Sequence, residues 1–279
     1  MKKVLLFAAA MLAALPLMAA KPKAPAGIKV ISYNIRTGTA KDGPNAWEFR
    51  APASARMIDD QKPDIFGLQE SYLFQTSYLG QCFPRYKYIG VGRDNGKSKG
   101  EMMAIFYNKK KIALKKWGTW WLSETPGEPS KGWDAACYRT ATWALMKDKS
   151  SGRLFWYVNT HLDHKGKEAK AKGLSLIMDK IEEMNKDRNL PLILTGDFNM
   201  TTDNPAMEEV QARLKNARST AAVTDDFGSY NAWGRNSKII DYIFYTGFSS
   251  CTEFHTVNKP YLGRTFISDH FPISAVLVF

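Results

Sequence analysis

The sequence has few cysteines, no internal repeat and a single long apolar run, and each shortage excludes a class of protein. Three cysteines in 279 residues are too few, and odd in number, for a disulfide framework. Hydrophobic residues make up 44% and charged residues 24%, a balance that argues against disorder or a collagen-like chain. No linker-like stretch divides the main part of the sequence, so we expect one large globular domain.

The one long apolar run lies at the start of the sequence. Val4 to Met18 is almost wholly apolar, follows Lys2 and Lys3, and ends before Ala19 and Ala20. This pattern predicts a secretory signal peptide over residues 1–20, with export to the periplasm or beyond the cell. The run of about 15 residues is short for a bilayer, which needs roughly 20, so an uncleaved anchor is the weaker alternative. We predict a linker over residues 21–27 and the folded domain over residues 28–279.

Export has consequences for charge and for the thiols. The chain has a net charge of +12, and removing the two leader lysines would leave +10, a balance that suits polyanionic partners without naming one. In an oxidising compartment, three cysteines supply at most one bridge, and we favour buried free thiols instead. We expect a monomer with no stable membrane anchor.

Hydrophobic patterning beyond the linker alternates between strands and helices. Asn204 is a plausible N-cap for the helix 205–214, which would have Pro205 at its first position. Ser71 is a plausible N-cap for the helix 71–79. The expected helices are 47–61, 71–79, 167–185 and 205–214. The expected strands are 28–35, 64–69, 102–107, 112–118, 140–146, 154–160, 190–195, 239–245 and 271–279. Strands outnumber helices, which favours an α/β chain with mixed sheets over a repeating βαβ wheel.

Polar residues cluster at the ends of six of these strands. They are Asn34, Glu70, His161, Asp197 with Asn199, Asp241, and Asp269 with His270. Strand ends often meet solvent, but six cases drawn only from Asp, Glu, Asn and His are hard to attribute to exposure. These residue types bind hard cations and transfer protons. Asp241 lies among apolar residues, where a buried carboxylate needs a partner.

The ordered motifs that contain these residues resemble the endonuclease/exonuclease/phosphatase superfamily. The motifs are Ser32-Tyr33-Asn34-Ile35-Arg36, Leu68-Gln69-Glu70, Asn159-Thr160-His161-Leu162, Gly196-Asp197-Phe198-Asn199, Ile240-Asp241-Tyr242 and Ser268-Asp269-His270. The resemblance implies a four-layer α/β sandwich of the deoxyribonuclease I type, with two mixed β-sheets packed face to face and helices outside. The sequence looks most like a secreted bacterial branch related to the deadenylase-like members.

The resemblance also implies a metal centre. Glu70 would be the leading ligand, with Asn34 and Asp269 nearby, and Mg²⁺ the expected ion, with Mn²⁺ as a substitute. Mg²⁺ is held in proteins by few carboxylates together with water and substrate phosphate. Asn34 would also contact the substrate.

Proton transfer and charge stabilisation are assigned by the same resemblance. Asp197 would orient or deprotonate the attacking water, and Asn199 would hold the phosphate or that water. His270 would stabilise the transition state or donate a proton, with Asp241 on its other ring nitrogen. His161 would be a second imidazole on the opposite side of the phosphate.

Further residues have two interpretations each. Arg139 is either a bidentate phosphate ligand or part of a surface salt bridge. Glu101 is a candidate for the rim of the site, and Asp163 and His164 either take part directly or only shape their loop. The tryptophan-rich stretch 117–134 is either a stacking rim for a ligand or a loop held by aromatic packing.

The sequence therefore predicts a secreted, Mg²⁺-dependent hydrolase of phosphate esters. The leading hypothesis is a phosphodiesterase or nuclease that uses in-line attack of water, with nucleic acid as a candidate substrate. The alternative is a phosphomonoesterase or phospholipase-type hydrolase that acts on sugar, inositol or lipid phosphates. A non-catalytic binding module is the weakest hypothesis, because the set of chemically useful residues is complete.

Overall fold

A computed structural model describes residues 27–279. The predicted signal peptide, 1–20, and linker residues 21–26 lie outside the described residues. The first strand begins at Gly27, one residue before the predicted start of that strand. No helix within the described part is both long enough and apolar enough to cross a membrane.

The described residues form thirteen strands and five α-helices. The strands are β1 Gly27–Asn34, β2 Ile65–Gln69, β3 Tyr86–Ile89, β4 Ile105–Asn108, β5 Ile112–Trp121, β6 Thr140–Asp148, β7 Leu154–His161, β8 Leu192–Asp197, β9 Lys215–Asn216, β10 Ala221–Val223, β11 Asp241–Thr246, β12 Ser250–Thr256 and β13 Ile273–Val278. The helices are α1 Trp47–Gln61, α2 Leu73–Cys82, α3 Lys167–Asn185, α4 Glu208–Arg213 and α5 Ala217–Thr220.

Two mixed sheets organise these elements. The seven-stranded sheet has the order β10-β12-β13-β1-β2-β4-β3, and the six-stranded sheet has the order β5-β6-β7-β8-β11-β9. In each sheet a long helix joins one parallel pair: α1 joins β1 to β2, and α3 joins β7 to β8. A parallel pair needs such a crossover, because its strands run in the same direction. The seven-stranded sheet has a second, short parallel pair, β10 with β12, at its edge.

Three apolar layers show how the sheets and helices stack. One core joins the inner faces of the two sheets and contains Val30, Ile65, Phe155 and Ile193. A second lies between the seven-stranded sheet and α1, and a third packs α3 and α4 on the six-stranded sheet. The two sheets therefore form the inner layers and the helices the outer ones, which confirms the predicted four-layer sandwich.

The close approach of the two sheets depends on a glycine. A β-carbon on Gly67 of β2 would lie 2.5 Å from the amide oxygen of Asn159 and 2.9 Å from the hydroxyl of Thr195, both in the opposite sheet. That amide oxygen accepts a 2.7 Å hydrogen bond from Gln69, and the Asn159 amide donates at 2.8 Å to the Leu68 carbonyl. A buried polar network thus joins the sheets directly beneath the strand ends.

The longest helices agree with their predicted bounds, whereas the shorter ones differ. α1 and α3 begin and end where their periodicity predicts. α2 begins after Tyr72, not Ser71, because Ser71 instead pairs with Met102 in an isolated bridge. The expected helix 205–214 is a 3₁₀ turn followed by α4, although Asn204 does cap it by accepting from the Ala206 amide.

Several strand predictions need correction. β4 begins at Ile105, not Met102, and β8 and β11 begin two residues after their expected starts. Strands β3, β9, β10 and β12 were not predicted. The cysteines are free, as expected, but of the three only Cys251 is buried.

Candidate active site

The candidate site lies at one end of the sandwich, where strands of both sheets finish. Asn34 ends β1 and Glu70 directly follows β2, while His161 ends β7 and Asp197 ends β8. The carboxyl ends of parallel strands meet at one edge, which brings each pair together. Asp241, the first residue of β11, also belongs to the site, because the pairing of β11 with β8 places it directly opposite Asp197.

Glu70, His161 and Asp197 line a cleft with a volume of about 720 Å³, together with Asn199, Asp269 and His270. Asn34 and Asp241 are buried and are not among its lining residues. Its acidic, imidazole and amide groups are those that the sequence predicts. Its cationic side chains come from four places in the chain: Arg36, Arg93, Arg139 and Lys238. Carboxylates and cations that line one cleft suit an anionic ligand whose charge is matched by both a metal ion and the protein.

Glu70 is held in position by hydrogen bonds to both carboxylate oxygens. Its backbone is left-handed, with φ of 59°. One oxygen accepts from the Thr37 backbone amide at 2.8 Å and the other from the Asn34 side chain at 3.1 Å. Burial would raise the pKa of Glu70, but the Asn34 hydrogen bond and the positive charge of His270 hold it below its usual value. Glu70 is therefore an ionised, oriented carboxylate.

Asn34 orients the acidic groups. Its amide nitrogen donates to Glu70 and, at 2.9 Å, to Asp197. Its oxygen accepts from the Arg36 backbone amide at 3.0 Å. An amide oxygen has two lone pairs, so one remains beside this hydrogen bond, and the contact of Asn34 with a metal ion stays a prediction.

Asp269 lines the same cleft as Glu70. Arg36 is 3.4 Å from one of its oxygens. Burial raises the pKa of Asp269, and the negative charge of Glu70 raises it further. A cation would stabilise the charged forms of two carboxylates that share one desolvated cleft.

His270, Asp241 and Asp197 form a chain of hydrogen-bonding groups. Nδ1 of His270 lies 2.8 Å from Asp241, and Nε2 lies 3.7 Å from Asp197. Burial would lower the pKa of His270, but the two carboxylates raise it to about 10. Burial and the charge of Asp241 raise the pKa of Asp197 to about 7. The predicted contact between Asp241 and His270 is present, and it favours a charged imidazolium.

Atoms of these three residues lie within 4.8 Å of one another, a spacing that would also suit a metal ion. The short Asp241–His270 hydrogen bond, however, already occupies the only ring nitrogen that faces Asp241. An imidazolium has no lone pair for a metal. The arrangement is better suited to moving a proton than to holding a cation.

His161 and Asn199 lie beside Asp197, with Nε2 of His161 3.5 Å from its carboxylate. The Asn199 amide lies 3.0 Å from Nε2 of His161, and its backbone amide donates to Asp197 at 2.9 Å. Burial, reinforced by the charges of Arg139 and Arg93, holds the pKa of His161 well below its usual value. His161 is therefore a neutral imidazole, unlike His270.

Arg139 is buried, which excludes the surface salt bridge considered for it. Nε lies 3.2 Å from Asp163, and Nη2 lies 2.9 Å from Nδ1 of His164. Asp163 also accepts from the Lys165, Gly166 and Ala136 backbone amides. Asp163 thus shapes the loop and aims Arg139, while His164 and Arg139 line the cleft.

The tryptophan-rich stretch is mainly packed. Trp120 and Trp143 stack at 5.7 Å and join the core beneath α3, while Trp121 is buried. Trp117 is 40% exposed but does not line the cleft. Aromatic packing is therefore the better interpretation for most of the stretch.

Sequence reasoning missed several residues that line the cleft. Arg36 lies within the first motif, two positions after Asn34, and could have been found there. Arg93, Lys238 and Tyr230 come from loops with no periodic pattern. Tyr230 packs against the His270 ring with 4.9 Å between ring centroids.

Fold and site together define a metal-dependent phosphoesterase hydrolase. The chain belongs to the Endonuclease/Exonuclease/phosphatase family, whose model matches residues 31–270. This match confirms the family that the ordered motifs indicate.

Two solved structures from Bacteroides thetaiotaomicron are similar to this chain along nearly its whole length. One, an endonuclease/exonuclease/phosphatase family protein, is 37% identical with a TM-score of 0.86 and covers 91% of this chain and 98% of its own. The other, a mannosyl-6-phosphatase, is 36% identical with a TM-score of 0.84 and covers 90% of this chain and 100% of its own. Nocturnin of Drosophila melanogaster is 25% identical over 81% of this chain but only 41% of that longer protein.

Proposed function

We propose that this protein is a phosphomonoesterase that releases phosphate from a small phosphorylated sugar. The observation that supports this most is the 36% identity to a mannosyl-6-phosphatase over 90% of the chain. The cleft agrees with such a substrate, because about 720 Å³ falls within the range of small-molecule pockets. We therefore favour the phosphomonoesterase alternative over the phosphodiesterase that the sequence led us to expect.

Glu70 and Asp269 are the residues that fit a divalent cation. Both supply carboxylate oxygens to one desolvated cleft, and the raised pKa of Asp269 shows that their charges oppose each other. Hard oxygen donors of this kind suit Mg²⁺, with Mn²⁺ as a substitute. When bound there, the ion would withdraw charge from a phosphoryl oxygen.

Asp197 and His270 carry out the two proton transfers of the reaction. Asp197 takes a proton from the attacking water as the new phosphorus–oxygen bond forms, with the Asn34 and Asn199 amides fixing its carboxylate. His270 donates its Nε2 proton to the leaving oxygen as the old bond breaks. The Asp241 carboxylate stabilises the imidazolium until that transfer.

Neutral His161 lies 3.5 Å from Asp197 in the same cleft, and the Asn199 amide holds its ring through a 3.0 Å contact with Nε2. Arg139 can add a donor, since its Nη1 has no hydrogen-bond partner within residues 27–279. Guanidinium and amide donors fixed before the reaction stabilise charge as it develops.

A phosphodiesterase or nuclease is the second candidate. The net charge of +12 favours binding to a long polyanion more than a single phosphate requires. Steep weakening of DNA or RNA binding with salt would support this candidate.

A substrate panel separates the two. Purified protein with Mg²⁺ would be given mannose 6-phosphate, glucose 6-phosphate, and DNA and RNA oligonucleotides. We expect inorganic phosphate from the hexose phosphates and intact oligonucleotides on a gel. Shortened oligonucleotides with no phosphate from the sugars would overturn the proposal.

Three variants test the assigned residues. Asp197→Ala, Glu70→Ala and His270→Ala should each remove most activity, with a far-ultraviolet circular dichroism spectrum like that of the unaltered protein. Asp226→Ala changes an exposed carboxylate and serves as the matched control. Normal turnover by Asp197→Ala would show that another group accepts the proton.

Metal removal is a separate test. EDTA should abolish phosphate release, and Mg²⁺ or Mn²⁺ should restore it after the chelator is dialysed away. Full activity in EDTA, with no metal found by elemental analysis, would contradict metal dependence.

Export is also part of the proposal. The leader-like pattern of residues 1–20 supports a hydrolase that works in the periplasm or outside the cell.

A further inference from the structure

The wall of the cleft formed by Arg93 and Glu101 has no part in the chemistry described above. Nη1 of Arg93 lies 2.6 Å from Glu101, and both side chains are largely buried, at 13% and 12% exposure. The two residues line the same cleft as the acidic groups. An ion pair in this position can contact a substrate that occupies the cleft.

Backbone contacts fix this pair in place. The Arg93 amide donates to the Glu101 carbonyl at 3.0 Å, and the Arg93 carbonyl accepts from the Trp121 indole at 2.7 Å. The Trp121 ring is buried. The pair is thus preorganised, and little side-chain freedom would be lost when a ligand binds.

Each member of the pair keeps hydrogen-bonding capacity. Within residues 27–279, Nε of Arg93 is buried with no hydrogen-bond partner. The side-chain hydrogen bond of the pair joins Nη1 of Arg93 to one oxygen of Glu101, so Nη2 and the other carboxylate oxygen keep their capacity. An arginine has five N–H donors, and a carboxylate has about four acceptor sites. One salt bridge leaves most of this capacity unused, and what remains is a donor and an acceptor side by side.

We propose that Arg93 and Glu101 form the specificity subsite that binds the hydroxyl groups of the sugar. A hydroxyl group both donates and accepts, so two neighbouring hydroxyls match a guanidinium beside a carboxylate. The metal-binding and proton-transfer residues hold the phosphate, while this pair holds the part of the substrate that leaves. The inference rests on the proposed function, whose sugar phosphate it makes specific.

A second phosphate contact is the competing role for Arg93. Glu101 argues against it, because a carboxylate 2.6 Å from the guanidinium would repel a phosphate at the same place. A neutral hydroxyl meets no such repulsion.

The first measurement uses the unaltered protein. Its kcat/KM for mannose 6-phosphate would be compared with those for single-deoxy analogues of that sugar phosphate and for phenyl phosphate, which has no sugar hydroxyl. We expect removal of a bound hydroxyl to lower kcat/KM about tenfold, the effect of one charge-assisted hydrogen bond. Equal values for all substrates would overturn the subsite. Failure to hydrolyse any monoester would instead refute the proposed function, before any variant is made.

The second measurement uses Glu101→Gln, which keeps the shape of the side chain, and Arg93→Lys, which keeps the charge. In each, the ratio of kcat/KM for mannose 6-phosphate to that for phenyl phosphate should fall about tenfold, mainly through KM. Each variant should also lose discrimination against one deoxy analogue. Glu124→Gln, an exposed carboxylate in the neighbouring loop, is the control.

A purely structural role predicts a different result. It would lower kcat/KM for both substrates by the same factor and leave the discrimination against deoxy analogues intact. That outcome would overturn the assignment.

Discussion

Single side chains at this site are fixed largely by hydrogen bonds from amides. Asn34 donates to two carboxylates at once, and Thr37 and Asn199 add backbone amides. Such contacts hold Glu70 and Asp197 in position before substrate arrives, which lowers the cost of reorganisation during the reaction.

Loss of the partner of His270 should slow the chemistry without unfolding the protein. In Asp241→Asn, the amide cannot stabilise the imidazolium, so we expect kcat to fall about 100-fold, within the usual range for general acid–base catalysis. Phosphate release and thermal unfolding would be measured together. A variant with normal kcat would show that the 2.8 Å contact is not used in the reaction.

Asp163 makes a pH-dependent contribution to stability. Burial would raise its pKa, but the backbone amides of Gly166 and Lys165 and the charge of Arg139 lower it to about 2, from an ordinary 3.8. Because the folded pKa is depressed, the stabilisation is complete above about pH 4 and is lost as pH falls through about 2. Asp163→Asn should therefore lower the free energy of unfolding at pH 7 by about 3 kcal/mol, since Arg139 loses its buried partner.

Urea unfolding between pH 7 and pH 2 would test this. The difference between Asp163→Asn and the unaltered protein should shrink towards the acid end. Asp179→Asn, at an exposed position in α3, should show no difference at any pH. A constant difference across the range would mean that the Asp163 carboxylate charge is not responsible.

The polar residues of the site were predictable, but their partners were only partly so. Asp, Asn and His at strand ends signal chemistry because a core rejects them, and ordered motifs added their roles. Arg93 and Lys238 lie in loops, where no period constrains the residue type. The hydrogen bond from the Arg36 backbone amide to the oxygen of Asn34 depends on local backbone geometry that a sequence pattern does not contain.

At the scale of the strands, Gly67 controls how closely the two sheets approach. Gly67→Ala would place a methyl group 2.5 Å from the Asn159 amide, so the polar network beneath the site must shift. We expect a loss of about 1–3 kcal/mol in the free energy of unfolding, the usual effect of overpacking, together with reduced kcat.

Gly127→Ala is the matched control, because nothing lies within 4 Å of the added carbon. Chemical denaturation followed by tryptophan fluorescence would measure both variants. Equal stabilities would show that the sheets can separate at Gly67 without cost.

Element boundaries were predictable where a long pattern was present. α3 has six buried residues at helical spacing over nineteen positions, which leaves little ambiguity. β12 lacks such a signal, because a bulge between Cys251 and Glu253 interrupts its alternation. β9 and β10 contain only two and three residues, too few to show any period.

The molecule as a whole is expected to be exported. Expression of the full sequence in a Gram-negative bacterium should yield periplasmic protein whose intact mass corresponds to loss of about the first 20 residues. Replacing two central residues of the leader's apolar run, Met11 and Leu12, with lysine should keep the protein in the cytoplasm. A periplasmic protein that retains its leader would indicate an uncleaved anchor instead.

The pairing of β1 with β13 has a consequence for when the enzyme becomes active. β1 holds Asn34, while the strand beside it is synthesised more than two hundred residues later, and the Ser268 hydroxyl donates to the Asn34 carbonyl across 234 positions. A ribosome therefore releases most of the chain before the two halves of the centre can meet. During synthesis the emerging polypeptide carries Glu70 and Asp197 without Asp269 and His270, so the cleft stays incomplete until the last residues have been added. The protein can therefore hydrolyse a substrate only after the whole chain has been synthesised and folded.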